Sequence, residues 1–244
     1  MAYQGVYNPN KQEPYKLSRS KIDLFLSCRR CFYLDRRLGI IRPPGFPFNL
    51  NSAVDSLLKN EFDTYRNMEK PHPYMLQLGI DAVPFKHDEL GKWRANFTGI
   101  SHVHQPTNFH LFGAVDDIWR NVKTGELIVV DYKATSKASE VNIDSEWQMS
   151  YKYQMEFYQY LLRKNGFPVS DMGYFVYCNG VADNLAFNEQ LKFRVSLIPY
   201  EGGGDWIEDT IMEIHSLLNQ ETIPAHSENC PYCNYQRSLK SIEE

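Results

Sequence analysis

Apolar residues recur along the chain at helical spacing in four places, and each predicts an amphipathic helix. Ile22, Phe25 and Leu26 share one face of a first helix, with Ser18 or Ser20 placed to cap it. Asn51-Ser52 open a second, whose stripe reads Val54, Leu57, Leu58, Phe62 and Tyr65. A third runs from about Ser145 to Asn165, stopped by Gly166 and Pro168. Its seam is Trp147, Tyr151, Tyr158 and Leu161, and the missing step between the two tyrosines is Gln154. The fourth spans roughly Asp205 to Asn219, with Ile207, Ile211, Ile214 and Leu218 inward.

Between the helices lie runs rich in Val, Ile and aromatics that read as strands. Val115 and Ile118 lead into the polar loop Asn121-Val-Lys-Thr-Gly-Glu126, and Leu127 to Val130 leads out of it, predicting a hairpin. Met172 to Cys178 and Leu185 to Phe187 predict another around Asn179-Gly180, followed by a strand over Leu191 to Pro199. Residues 42–47 form a Pro/Gly loop, and Pro71, Pro73 and Pro84 break residues 67–98 into weak helical pieces. Strands interleaved with helices place the chain in the α/β class.

The apolar run 127–130 ends in Asp131-Tyr132-Lys133. Strand period puts Asp131 and Lys133 on one face, and Asp116 can project from the neighbouring strand. Charges at the ends of core strands are costly unless they serve one another or a metal, and hard oxygen ligands suit Mg²⁺ or Mn²⁺. The same triplet is also compatible with an ordinary solvated strand end. Gln154, a polar amide on an apolar stripe, needs a partner either at these acids or in the backbone. Asp55 is placed in the first turn of its helix, where a capping acid is common. His102 and His104 alternate as a metal-binding strand would, but no carboxylate lies nearby in the sequence, so they read as an exposed strand face.

Net charge is −4, so no whole-molecule attraction to nucleic acid is expected. Any such binding needs a local basic groove, with Arg29-Arg30, Arg36-Arg37 and Lys133 to Lys137 as candidates. The polar N-terminal residues and the lack of a long apolar run predict a cytoplasmic chain without a membrane span, hence reduced thiols. Cys28 and Cys31, with Cys230 and Cys233, form two C-x2-C pairs that predict one shared metal centre. Thiolate softness fits iron–sulfur or zinc, and Cys178 reads as a small core residue.

Taken together, these pieces resemble the PD-(D/E)XK nuclease superfamily. They are most similar to its RecB-like branch, which includes CRISPR-associated nucleases with a four-cysteine iron–sulfur cluster. LSRSKIDLFLSCRRCFYL is similar to the opening helix of that family, which leads to the first cluster cysteine, here Cys28. LNSAVDSLLKNEF resembles the first-motif helix, GAVDD supplies the second-motif Asp116, and VDYKAT supplies Asp131 and Lys133. YKYQMEFYQYLL resembles the fourth-motif helix, placing Gln154 and Tyr158, and NCPYCNY resembles the C-terminal cysteine segment.

The resemblance implies a restriction-endonuclease-like core over about residues 17–237, with a 1–16 extension and a 238–244 tail. It implies a central mixed sheet flanked by helices and a cysteine-bound clasp joining the N- and C-terminal segments. The implied activity is Mg²⁺- or Mn²⁺-dependent DNA hydrolysis, at single strands or ends, in repair, recombination or CRISPR-type adaptation, with protein partners from such a complex. Asp55, Asp116, Asp131 and the Tyr132 carbonyl are the implied metal ligands, and Lys133, Gln154 and Tyr158 complete the catalytic set. Two departures stand out. Asp55 takes the place of a histidine usual in that branch, with Glu61 next in line, and the cysteines divide two and two rather than one and three. A [4Fe-4S] cluster is the expectation and structural zinc the alternative. The competing function is a nuclease fold without activity, serving as a DNA-binding or assembly module, and a zinc hydrolase built on His102 and His104 is a third reading.

Overall fold

The structure, a computed structural model, describes residues 5–45, 49–182, 186 and 188–243. In chain order the elements are β1 (Tyr15–Ser18), α1 (Arg19–Ser27), α2 (Arg29–Arg37), α3 (Asn49–Met68), α4 (Pro73–Gln77), β2 (Ala82–Pro84), α5 (Leu90–Trp93), β3 (Ile100–His104) and β4 (Phe109–Gly113). There follow β5 (Asp117–Asn121), β6 (Leu127–Thr135), α6 (Met149–Lys164), β7 (Met172–Val181), β8 (Lys192–Glu201), α7 (Trp206–Leu218) and α8 (Pro231–Glu243). They form two compact units. One comprises Met1–Phe46, Ser101–Phe112 and Asp205–Glu244, and the other Pro47–Ile100 and Gly113–Gly204.

The second unit holds a five-stranded mixed sheet of order β2-β5-β6-β7-β8. β5 and β6 are the antiparallel hairpin that the Asn121–Glu126 loop predicts, and Gly125 takes φ 77° there. β6 and β7 are parallel, so their connection must cross over the sheet, and α6 is that crossover. Residues 127–132 of β6 are all buried because both faces of the strand are covered. Ile128, Val130 and Tyr132 pack with Val54, Leu58 and Phe62 of α3. By alternation, Val129, Asp131 and Lys133 face the other side, where α6 lies. Gly173 makes the approach of α6 possible: a Cβ there would stand 2.5 Å from Met155 Sδ and 3.0 Å from the Val129 carbonyl.

Several expectations fail for identifiable reasons. Leu26 and Leu57 are exposed, since α1 and α3 bury narrower stripes than the sequence suggests. On α3 the fourth step after Val54, Leu58 and Phe62 is Arg66, which is buried, and Tyr65 is only partly covered. Trp147 is exposed because the predicted third helix starts as a 3₁₀ turn, Glu146–Gln148, before α6 begins. Asn179-Gly180 is not a turn. β7 runs through it and pairs with β8 along its whole length, while the buried Asn179 amide bonds the backbone of Lys137 in both directions. Leu185 and Phe187 lie outside the described residues.

The first unit contains a three-stranded sheet of order β1-β4-β3, with β1 parallel to β4. Ile207, Ile211, Ile214 and Leu218 of α7 are buried as predicted. His104 is buried rather than exposed: its Nδ1 bonds Thr107 Oγ1 at 2.8 Å and its Nε2 bonds Glu208 Oε2 at 2.9 Å. The carboxylate that sequence proximity did not supply comes from α7, and His102 is partly buried on the same strand. No helix among the described residues is long and apolar enough to cross a membrane.

Candidate active site and cysteine centre

The end of β6 gathers most of the predicted site residues. Asp131 is fully buried, and the Lys133 ammonium pairs with its Oδ2. Gln154 Nε2 donates to Asp131 Oδ1 at 2.8 Å and to the Tyr158 hydroxyl at 3.3 Å, both from α6. Lys133 also lies 4.3 Å from the centre of the Tyr151 ring, so its ammonium is held between a carboxylate and an aromatic face. Burial pushes the Asp131 carboxyl up to about 7, with Lys133 pulling it down and the neighbouring Asp116 carboxylate pushing it up further.

Asp116 sits immediately before β5, where pairing with β6 has stopped at Asp117 opposite Val130. Its Oδ2 continues the ladder by accepting the Tyr132 amide at 3.0 Å. Within a strand a residue's N–H and C=O point to the same side. The Tyr132 carbonyl is therefore directed to the side of Asp116, which suits the ligand role expected of it.

Asp55 is not in a first turn, since α3 already begins at Asn49. It stands beside Lys59, whose Nζ is 2.8 Å from Asp55 Oδ2 and 3.6 Å from Asp116 Oδ1. Burial raises the Asp55 carboxyl, with Lys59 lowering it and Asp116 raising it. Glu61 is engaged elsewhere, pairing with His72 Nε2 at 2.9 Å.

The residues fit a divalent cation. Asp131 Oδ2 is a buried oxygen that no donor meets with hydrogen-bond geometry, although Lys133 is paired with it. Two adjacent carboxylates and a carbonyl directed to their side form the hard donor set that Mg²⁺ or Mn²⁺ prefers. Among the described residues the three acids do not draw together into one tight cluster, and the Lys59 ammonium lies between Asp55 and Asp116.

The frame behind these acids was not foreseen. Asp117 has no exposed surface and is held by Arg66, by Arg94 at 2.8 Å and by the Tyr132 hydroxyl at 2.8 Å. Arg94 also donates to both oxygens of Asp63 and to the Asp116 carbonyl. The available signal was Arg66, a charge four residues beyond Phe62 on an apolar stripe, which required a buried partner.

The basic groove proposed from sequence fares unevenly. Arg36 is buried against Asp35, Arg29 pairs with Glu213, and Arg30 and Arg37 donate to backbone carbonyls. Ahead of α6, Lys137 lies 5.0 Å from the Trp147 ring centre.

In the first unit Cys28, Cys31, Cys230 and Cys233 converge, all buried, with their sulfurs within 4.8 Å of one another. Cys28 interrupts the chain between α1 and α2 with extended backbone (φ −165°), and its sulfur accepts the Cys31 amide, capping α2. Cys230 precedes α8 and Cys233 lies in its first turn. Three of the sulfur pairs are 3.7 Å apart. Thiolates around one tetrahedral ion with metal–sulfur bonds of about 2.3 Å stand about 3.8 Å apart. Burial raises the Cys31 and Cys233 thiols, and only Cys28 falls, to about 7, where hydrogen bonds overcome the burial that opposes them. Four thiolates in this space need a cation. Arg42, unforeseen from sequence, donates to Cys230 Sγ at 3.3 Å and lies 4.5 Å from the Tyr232 ring centre. Cys178 is a separate core residue of the other unit, its thiol pushed up to about 11 by burial.

The mixed sheet with acids at the ends of adjacent strands is an α/β arrangement of nuclease type. A sequence profile of the PD-(D/E)XK nuclease superfamily matches residues 16–238, and the chain belongs to that superfamily. Its nucleases act on nucleic acids with divalent metals. No curated protein matches the chain.

Proposed function

We propose that the protein is a divalent-metal-dependent deoxyribonuclease that hydrolyses phosphodiester bonds. The observation that carries this reading is Asp131. It is a fully buried carboxylate fixed by Gln154 on one oxygen, paired with the Lys133 ammonium on the other, and neighboured by the Asp116 carboxylate.

Asp116, Asp131 and the Tyr132 carbonyl would hold the ion, with Asp55 as a further carboxylate. When bound, it polarises a phosphoryl oxygen and lowers the pKa of a coordinated water. Lys133, held by Asp131 and the Tyr151 ring, orients the attacking water and stabilises the charge that develops on phosphorus. Water oxygen bonds to phosphorus, the bridging P–O bond breaks, and the departing oxygen takes up a proton. Gln154 sets the orientation of Asp131, and Tyr158 supports Gln154. DNA, rather than RNA, is favoured by the likeness to RecB-like nucleases, which also suggests end processing in repair, recombination or CRISPR-type adaptation.

At the cysteines the sulfur spacing favours a single tetrahedral zinc ion. In a [4Fe-4S] cube each cysteine binds a different iron, which spreads the sulfurs farther apart. The competing reading, an inactive DNA-binding or assembly module, draws on the Lys59 ammonium beside Asp55 and Asp116. Incubating the purified protein with end-labelled linear DNA and with circular DNA, with and without Mn²⁺, separates the two. Metal-dependent cleavage that Asp131→Asn abolishes supports the nuclease, and intact DNA under all conditions supports the inactive module.

A further inference from the structure

Lys59 is placed as a cation between acids. Its stem lies along α3 one turn from Asp55, and its ammonium reaches past that carboxylate to Asp116, in front of a different element. The side chain is 23% exposed, so the charge is partly withdrawn from water, where its attraction to both acids is less screened. Among the described residues no other cation pairs with those oxygens. Asp55 Oδ2 meets Lys59 at 2.8 Å, and Asp116 spends its second oxygen on the Tyr132 amide. The other charges facing the group are Arg94, which acts on Asp55 from a distance while bound to Asp63 and Asp117, and Asp131 beyond Asp116. Neither takes the place that Lys59 fills.

We propose that Lys59 is the resident cation of the Asp55–Asp116 position, standing where a divalent ion shared by those two carboxylates would sit and competing with it. The inference rests on reading the acids as a metal site and deepens it. One ion is held mainly by Asp116, Asp131 and the Tyr132 carbonyl. The positive charge that other sites draw from a second ion comes here from the protein. Asp55 becomes a metal ligand only when Lys59 withdraws. Replacing Lys59 by an uncharged side chain of similar length opens that position and removes a repelling charge next to the first ion.

The test is Mn²⁺ binding to the full chain without nucleic acid, followed by the paramagnetic resonance signal of free Mn²⁺ and by calorimetry. Lys59→Met should bind Mn²⁺ at least about tenfold tighter than the parent, since removing a like charge at this distance is worth at least that factor. Lys59→Arg, which keeps the charge, should not. Adding Asp55→Asn to Lys59→Met should erase the gain. A folded Lys59→Met with unchanged or weaker affinity overturns the proposal, and Lys59→Gln answers the same question should the Met variant not fold. Asp131→Asn separates this from the underlying reading. If that variant binds as the parent does, the proposed catalytic metal site is wrong, whatever Lys59 does. If it loses binding while Lys59→Met is unchanged, only the role of Lys59 falls. If neither parent nor Lys59→Met binds Mn²⁺, both fall.

Discussion

The side-chain amide of Gln154, midway along α6, donates to Asp131 Oδ1 at 2.8 Å and thereby fixes a buried carboxylate at the end of β6. The bond decides which oxygen is left over. With Oδ1 satisfied, Oδ2 is the one that pairs with the Lys133 ammonium. A crossover helix thus orients the carboxylate of a strand residue, and which oxygen meets Lys133 follows from it.

Gln154→Ala should slow cleavage by about 10- to 100-fold. A hydrogen bond to a charged group is worth about 1.5–3 kcal/mol, and here it is spent on orientation. Single-turnover cleavage at saturating Mn²⁺ checks this. An unchanged rate means that packing alone holds Asp131.

Asp131→Ala should abolish metal-dependent cleavage while far-ultraviolet circular dichroism stays that of the parent. Lys133→Ala should cut the rate on the order of 100-fold or more, because on the proposed mechanism it removes the ammonium that stabilises the charge developing on phosphorus. Retained activity in Asp131→Ala would remove the assignment of these residues.

Asp116 and Asp117 are sequence neighbours with opposite expected behaviour. Asp117 is buried among Arg66, Arg94 and the Tyr132 hydroxyl, so Asp117→Ala removes the buried carboxylate between two guanidinium groups and leaves them only the partly exposed Asp63. The cost is about 3–5 kcal/mol, a fall in Tm on the order of 10 °C. Asp116→Ala should lose activity with a Tm close to that of the parent, since among the described residues its side chain holds one backbone amide and an ion pair at 3.6 Å. Thermal melts and cleavage assays on both variants should show this crossed pattern.

The reach of the sequence follows from where each signal was stored. The β5–β6 hairpin, α7 and the middle of α6 were readable because periodicity and turn chemistry are local. Asp131 and Lys133 could be brought together by parity along one strand, whereas the helix seam left Gln154 open between these acids and the backbone until the likeness to the fourth-motif helix placed it. Lys59 was missed because an i,i+4 pair with Asp55 looks like any solvated helix face, and its reach to Asp116 depends on tertiary placement. His104 was misplaced because its carboxylate, Glu208, is 104 residues away. Asn179-Gly180 misled because a strong turn dipeptide was overruled by pairing with β8 and by the Asn179 bonds to Lys137.

The cysteine centre yields the last prediction. Four buried sulfurs with three pairs at 3.7 Å lie on segments from opposite ends of the sequence, so an ion there closes a loop of some 200 residues. Without a cation these thiols repel one another's ionisation, which is why burial and neighbouring sulfurs raise Cys31 and Cys233. The protein should contain about one zinc per chain and be colourless, and Cys230→Ser or a strong chelator should lower its Tm, because binding free energy is folding free energy at such a site. Thiol alkylation at neutral pH should spare all five cysteines of the folded holoprotein. After chelation it should reach the four clustered ones, while Cys178, with its thiol near 11 inside the sheet core, stays protected as long as its unit is folded. Broad brown absorbance with several irons per chain would instead establish an iron–sulfur cluster. Absence of both metals, with Cys230→Ser melting at the parental temperature, would mean that the four sulfurs are packed thiols and nothing more.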